Sequence, residues 1–273
     1  MKFLDQGCLW WRRQTSAAMM VFCGTLLVTL EGILSGAAVG QTPTVEDFPN
    51  AENFPGSKHQ EVDLPKALQW NAANEAQDTM WEFKDPASWK FTKVDGERVL
   101  SQFQKSSDYQ PPHRSPLHLA LIKDHTFDSF EMDVWLKSTH AEYGHRDVCL
   151  FFGYTAPNKF YYVHMASEMD DRANQIFVVN QADRIKISAS TTPGTKWESQ
   201  WHHVRVIRDA ESGQIAVYFD DMTQPVMTAV DKTIEAGQVG LGSFDDTADF
   251  QRVVIRPKGT LPTQKEGHDV DRN

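Results

Sequence analysis

Between Trp81 and Arg256 the apolar residues recur at every second position rather than every three or four. Phe130–Lys137 is the clearest run. Phe130, Met132, Val134 and Leu136 share one face, and Glu131, Asp133, Trp135 and Lys137 share the other. Val148–Tyr154, Phe160–Met165 and Gln175–Asn180 are further β-rich runs, with Ala156-Pro157-Asn158 as a turn between the first two. Val204–Arg208 and Ile215–Phe219 flank Glu211-Ser212-Gly213 and predict a hairpin. Val239–Ser243 and Arg252–Ile255 follow, and Trp89–Phe91, Val99–Phe103 and Leu117–Ile122 precede. Short strands parted by turn residues predict an all-β sandwich or barrel without a long helix.

The alternation stops at both ends. Residues 41–69 are polar and punctuated by Pro43, Pro49, Pro55 and Pro65, which predicts a linker or surface strap. A brief helical tendency near Ala67–Gln77 has no firm period. Before it, Arg12 and Arg13 precede an apolar run from Ala17 to Leu30, and small residues follow from Ser35 to Gly40. That is the order of a secretory signal, cut after Gly40 or after Ala37. An uncleaved anchor is the alternative, against which Glu31 and several glycines interrupt the apolar stretch. The expected organisation is a signal peptide over 1–40, a linker over 41–69, a β-sandwich domain over 70–257 and a polar tail over 258–273.

Composition narrows the partners. With 37 acidic against 27 basic residues the formal net charge is -10, which argues against nucleic acid, anionic lipid and sulfated glycans. No membrane association is expected once the signal is removed. Cys8 and Cys23 fall in the signal and leave Cys149 alone, so no intrachain disulfide is expected. There is no Asn-x-Ser/Thr acceptor. The chain therefore reads as exported, periplasmic or extracellular, and suits a bacterial source; its oligomeric state is open.

One stretch is more specific than a period. Trp201-His202-His203-Val204-Arg205-Val206, then Gly213-Gln214-Ile215, then Val217-Tyr218-Phe219-Asp220-Asp221, resembles the penultimate hairpin of concanavalin A-like and laminin G-like jelly rolls. Val239–Phe244 and Phe250–Ile255 resemble the closing strands of that superfamily. The front half, with Trp89-Lys90-Phe91 and Phe130-Glu131-Met132, is similar to the secreted bacterial 3-keto-disaccharide hydrolase-type domains. The resemblance covers roughly 81–256 and implies a two-sheet antiparallel jelly-roll sandwich. Two positions depart from the nearer family: Gly153 stands where it carries an Arg, and Asp147 where it carries an Asn, so roles at those positions do not carry over.

Candidate chemistry follows from the faces. In jelly rolls the outward face of the concave sheet is the usual ligand groove. Glu131, Asp133 and Trp135 projecting together would suit a sugar, with the indole stacking on a pyranose and the carboxylates accepting hydroxyls or doing acid–base work. A Glu-x-Asp-x-x-Glu glycosidase signature is incomplete, because its third member falls at Leu136. An ordinary solvated strand face is the alternative. His140, Glu142, His145, Arg146 and Asp147 cluster before an apolar strand; His145 and Arg146 are ligand-binding candidates, and an Arg146–Asp147 pair tying down the hairpin is the bland reading. Tyr162 and His164 share a strand face, and His164 could act as acid or base. Asn174 and Gln175 are sugar-bonding candidates. Asp245, Asp246 and Asp249 could hold Ca²⁺, which is otherwise not required, or could simply favour a turn.

Three readings result: a carbohydrate-recognising domain acting on or beside extracytoplasmic polysaccharide; a glycoside or keto-sugar hydrolase using Glu131, Asp133, Asp147 and His164; and an adhesion or assembly module with no sugar site. The sugar readings require those residues to converge in one open groove.

Overall fold

A computed structural model describes residues 66–258. The expected signal over 1–40, residues 41–65 of the linker and residues 259–273 of the tail lie outside the described residues. Among the described residues no helix is long and apolar enough to cross a membrane.

Two antiparallel sheets form the sandwich. Numbered along the chain, the first runs β11 (Ser188–Thr191), β14 (Met227–Val230), β13 (Gln214–Phe219), β12 (His202–Arg208), β6 (Ser129–Ser138), β16 (Ala248–Lys258), β4 (Glu97–Gln102) and β3 (Trp89–Val94). A short β1 (Leu68–Asn71) also pairs with β16. The second sheet runs β10 (Ile185–Lys186), β9 (Gln175–Asn180), β8 (Lys159–Ala166), β7 (Asp147–Ala156), β15 (Gln238–Ser243), β5 (His118–Ile122) and β2 (Trp81–Phe83). The helical tendency over Ala67–Gln77 resolves differently from the expectation. Its first part is β1, which buries Trp70 between exposed Gln69 and Asn71, and only Glu75–Met80 coils, as a 3₁₀ helix capped by Asn74.

The alternating apolar positions meet between the sheets. Phe130, Met132, Val134 and Leu136 of β6 join Val148, Leu150 and Phe152 of β7 in one buried cluster. Phe130 and Phe152 meet edge-on at 6.0 Å, and Trp70 and Trp81 at 5.1 Å. Burying each such side chain stabilises the fold by about 1.5–3 kcal/mol.

The β12–β13 hairpin explains why its motif is so legible. Asp220 Oδ2 accepts from His202 Nδ1 at 2.8 Å, and Oδ1 accepts from the His203 backbone N–H at 2.9 Å. At the other end, buried Arg208 donates to the Gly213 and Asp231 carbonyls, each at 2.8 Å. Gly213 turns there at φ +85°, where a Cβ would come within 2.8 Å of Lys232 Cγ. His202, His203 and Asp220 thus fix the register at one end, and Arg208 and Gly213 the turn at the other.

β16 sets up the first sheet's outer surface. One edge pairs with β6 along its length, while the other is shared between β4 (at Ala248–Phe250) and β1 (at Arg252–Ile255). The register slips at Gln251. That slip restores the outward phase, so Arg252, Val254 and Arg256 face away from the core.

Candidate functional site

Glu131, Asp133 and Trp135 do project from the outer face of β6, but the carboxylates are not free. The neighbouring strands place cations against them, with Arg205 in register with Asp133 and Arg256 with Glu131. Arg205 Nε donates to Asp133 Oδ1 at 2.8 Å and His203 Nε2 to the same oxygen at 2.6 Å, while Arg256 donates to Asp133 Oδ2. Arg256 also reaches Glu131 Oε1 at 3.0 Å. Burial opposes ionisation of Asp133, yet the hydrogen bonds from His203, Arg205 and Arg256 outweigh it and hold the carboxyl well below the usual range. An acid pinned in this way neither donates a proton near neutral pH nor has lone pairs to spare for hydroxyls. The acid–base expectation for Asp133 is therefore corrected to an ion network, which Glu131 joins through Arg205 and Arg256.

Trp135 is half-buried and its ring faces are engaged. His203, its register partner on β12, stacks on it at 4.4 Å with planes 5° apart. Arg252, its partner on β16, lies 4.9 Å from the ring centroid. The expected stacking of a pyranose on this indole is replaced by these two neighbours. The row continues to β1, where Asn71 pairs with Arg252. Asn71, Arg252, Trp135 and His203 thus stand in register across four strands. Two adjoining clefts open beside them, of about 390 and 330 Å³, sharing Asn71, Ala73 and Arg252. Gln69, Asn74 and Gln77 line the first, and Glu97, Arg98, Trp135 and Gln251 the second. The side-chain amides of Gln69 and Gln251 are uncommitted among the described residues. Arg98 is held by Asp78 through Nη1 at 2.9 Å and Nη2 at 2.6 Å.

The outer face of the second sheet is occupied rather than open. Cys149, Phe151, Phe160, Tyr162 and Phe177 form a second buried cluster with Tyr109 and Phe244 packed on it. Arg184 covers Phe177 at 4.7 Å and Phe244 at 4.6 Å, and donates to the Tyr162 hydroxyl at 2.8 Å. Tyr162, His164, Asn174, Gln175 and Arg146 are all buried. Asn174 is saturated: Oδ1 accepts from Ala166 N and Thr195 Oγ1, and Nδ2 donates to Thr191 Oγ1 and the Thr192 carbonyl. Gln175 donates to the Asp170 carbonyl. Arg146 binds Ser138 through Nε and Nη2, each at 2.9 Å, and Glu142 at 2.7 Å. The polar ends of Arg146, Asn174 and Gln175 are thus engaged within the fold, and the expected Arg146–Asp147 pairing is replaced by Ser138 and Glu142. His145 is exposed at the rim and meets Asp170 at 2.9 Å.

The acidic turn is built around Asp147. Oxygens of Asp147, Asp245 and Asp246 lie within 4.8 Å of one another. Asp246 Oδ2 accepts from the Asp147 N–H at 2.9 Å and from the Tyr143 hydroxyl at 2.8 Å. Burial, and then the charge of Asp147, push Asp246 up to about 6. Asp249, expected as the third acid, lies on β16 in the other sheet, opposite Ser101, and is not in this group.

The convergence that the sugar readings required is absent. Glu131, Asp133 and Trp135 lie on the outer face of one sheet, and Asp147, Tyr162 and His164 on that of the other, with the core between them. Carboxylates facing each other across one cleft, as glycoside hydrolysis needs, are not formed by these residues. Asn71, Gln251 and Arg252 were missed as candidates. Asn71 falls after a segment read as linker, and Arg252 and Gln251 straddle a slip in strand phase that no alternation reveals.

No protein-family model and no curated protein matches the sequence. Solved structures do match. A variant of the GH43 protein BlXynB from Bacillus licheniformis aligns with a TM-score of 0.50 at 12% identity, over 75% of this chain and 41% of that one. The carbohydrate binding module CBM66 from Bacillus subtilis aligns at 0.44 and 17% identity, over 65% of this chain and 95% of that one. Peanut lectin aligns at 0.45 and 13% identity, over 72% and 98%. The fold is a two-sheet antiparallel jelly-roll sandwich.

Proposed function

We propose that this is an exported, carbohydrate-recognising jelly-roll domain that acts on or beside extracytoplasmic polysaccharide. The groove expected from the sequence does not form, and the contact surface proposed in its place is the outer face of the first sheet around Asn71, Arg252 and Trp135. The observation that carries the reading is the in-register row from Asn71 to His203 with two clefts opening beside it. Hydroxyl-rich ligands need closely spaced donors and acceptors, which amides and a guanidinium supply in fixed planes. Glu97 and Arg252 bring opposite charges to one cleft, which favours an uncharged ligand over an ion. The cation-flanked indole adds a rigid, half-buried edge. Export is supported by the arginine pair, apolar run and small-residue stretch of the N-terminus.

A glycan array probed with the full chain tests the reading. Wild type is expected to bind at least one neutral glycan, and Arg252→Ala to bind it about tenfold more weakly, the loss of roughly 1.4 kcal/mol. No neutral glycan bound, or undiminished binding by the variant with its circular dichroism unchanged, contradicts it.

A further inference from the structure

His164 on β8 pairs with Cys149 on β7, and Asp147 precedes Cys149 by two residues, so all three side chains leave the second sheet on its outer face. His164 Nδ1 lies 2.8 Å from the Arg172 carbonyl oxygen. A carbonyl only accepts, so the proton of the neutral ring is on Nδ1 and Nε2 is a bare lone pair. That lone pair faces Asp147 Oδ2 at 3.3 Å without a hydrogen bond. Asp147 Oδ1 and Asp246 Oδ1 likewise accept no hydrogen bond among the described residues, although both residues are fully buried. His140 repeats the arrangement: Nδ1 meets the Ala141 carbonyl at 2.9 Å, and Nε2 looks at Asp246 Oδ1 from 3.5 Å. Around His164, Asp147 and Asp246 acceptors face acceptors in a buried place, an arrangement that a cation would satisfy.

We infer that Asp147, Cys149 and His164 form a site for a borderline divalent cation of the zinc kind, on the face opposite the proposed glycan clefts. Their ligating atoms already lie within 4.8 Å of one another. A tetrahedron on ordinary zinc–ligand distances has edges of about 3.4–3.8 Å, a small closure from there. A nitrogen, an oxygen and a sulfur together suit zinc, whereas calcium takes oxygens. The His164 Nδ1–H on a backbone carbonyl is the usual orientation of a ligating imidazole. Asp245 and Asp246, gathered on Asp147, add the negative charge that holds the ion. On binding, the Cys149 thiol, which now donates to Asp147 Oδ2 at 3.3 Å, loses its proton to solvent and becomes the thiolate ligand.

The test uses the full chain, stripped with chelator and reloaded with Zn²⁺ or Ca²⁺. Expected are one equivalent of zinc per chain and a melting temperature higher by roughly 5 °C or more, with no comparable rise from calcium. His164→Gln should lose the rise. Co²⁺ in place of zinc should give a thiolate-to-cobalt charge-transfer band that disappears in Cys149→Ser, which keeps the test decisive if the glutamine variant fails to fold. No zinc bound, a response to calcium alone, an equal zinc response in His164→Gln, or a cobalt spectrum unchanged in Cys149→Ser overturns the inference.

Discussion

The indole of Trp135 lies parallel to the imidazole of His203, with centroids 4.4 Å apart and planes inclined by 5°. The same imidazole donates from Nε2 to Asp133. Aromatic stack and ion network are thus one unit, and its two halves can be separated by substitution. Trp135→Ala removes a half-buried ring with both faces engaged. It is expected to lower stability by about 2–3 kcal/mol in urea unfolding, with Trp135→Phe losing less. An unchanged midpoint for Trp135→Ala would show that the stack contributes nothing.

Asp133→Asn leaves Arg205, Arg256 and His203 without the carboxylate that they share, and removing one partner of a buried ion pair costs about 3–5 kcal/mol. Asp133 also sets an acid limit. Its folded carboxyl is held below the unfolded value, so the unfolded chain binds the proton more readily. The stabilisation is complete above about pH 4, the unfolded value, and is lost as pH falls below it through the folded value. Urea midpoints measured between pH 6 and pH 2 should fall more steeply for wild type than for Asp133→Asn. Parallel profiles count against the network.

The faces of the sandwich were legible in the sequence, and their neighbours were not. Alternation over Phe130–Lys137 correctly sends Glu131, Asp133 and Trp135 outward, because side-chain direction is a local property of a strand. What stands beside them comes from strands far along the chain: Arg205 is 72 residues from Asp133, and Arg256 is 125 from Glu131. Period alone does not say that β6 and β7, adjacent in sequence, lie in different sheets, which is why Asp133 and His164 were expected in one groove. The strand Leu68–Asn71 straddles the expected boundary between linker and domain at residue 69, because four residues with one buried Trp carry no measurable period. In the acidic turn, Asp245 and Asp246 were found by composition, but Asp249 follows the chain into β16 and Asp147 takes its place.

Asn174 has a backbone φ of 53° and four side-chain hydrogen bonds to surrounding loops and strands. Asn tolerates this left-handed conformation better than Ala. Asn174→Ala is expected to cost about 3 kcal/mol by thermal or urea unfolding while leaving glycan affinity unchanged. Loss of affinity in folded Asn174→Ala would restore this residue as a ligand contact.

Arg184 bridges Phe177 and Phe244 and holds the Tyr162 hydroxyl. Arg184→Ala should cost about 1–2 kcal/mol and speed hydrogen exchange at the Phe244 amide, which donates to Asp147. Exchange at wild-type rates would mean that the cover over this face is held by other groups.

The proposed glycan surface lies on the outer face of the first sheet, around Arg252. Amide chemical-shift mapping on the full chain, titrated with a neutral oligosaccharide selected on the array, tests it most directly. Saturable shifts are expected at Asn71, Gln251, Arg252 and the Trp135 indole, with Tyr162, His164 and Asn174 unmoved. Shifts centred on Tyr162 and His164, with Arg252 silent, would contradict it.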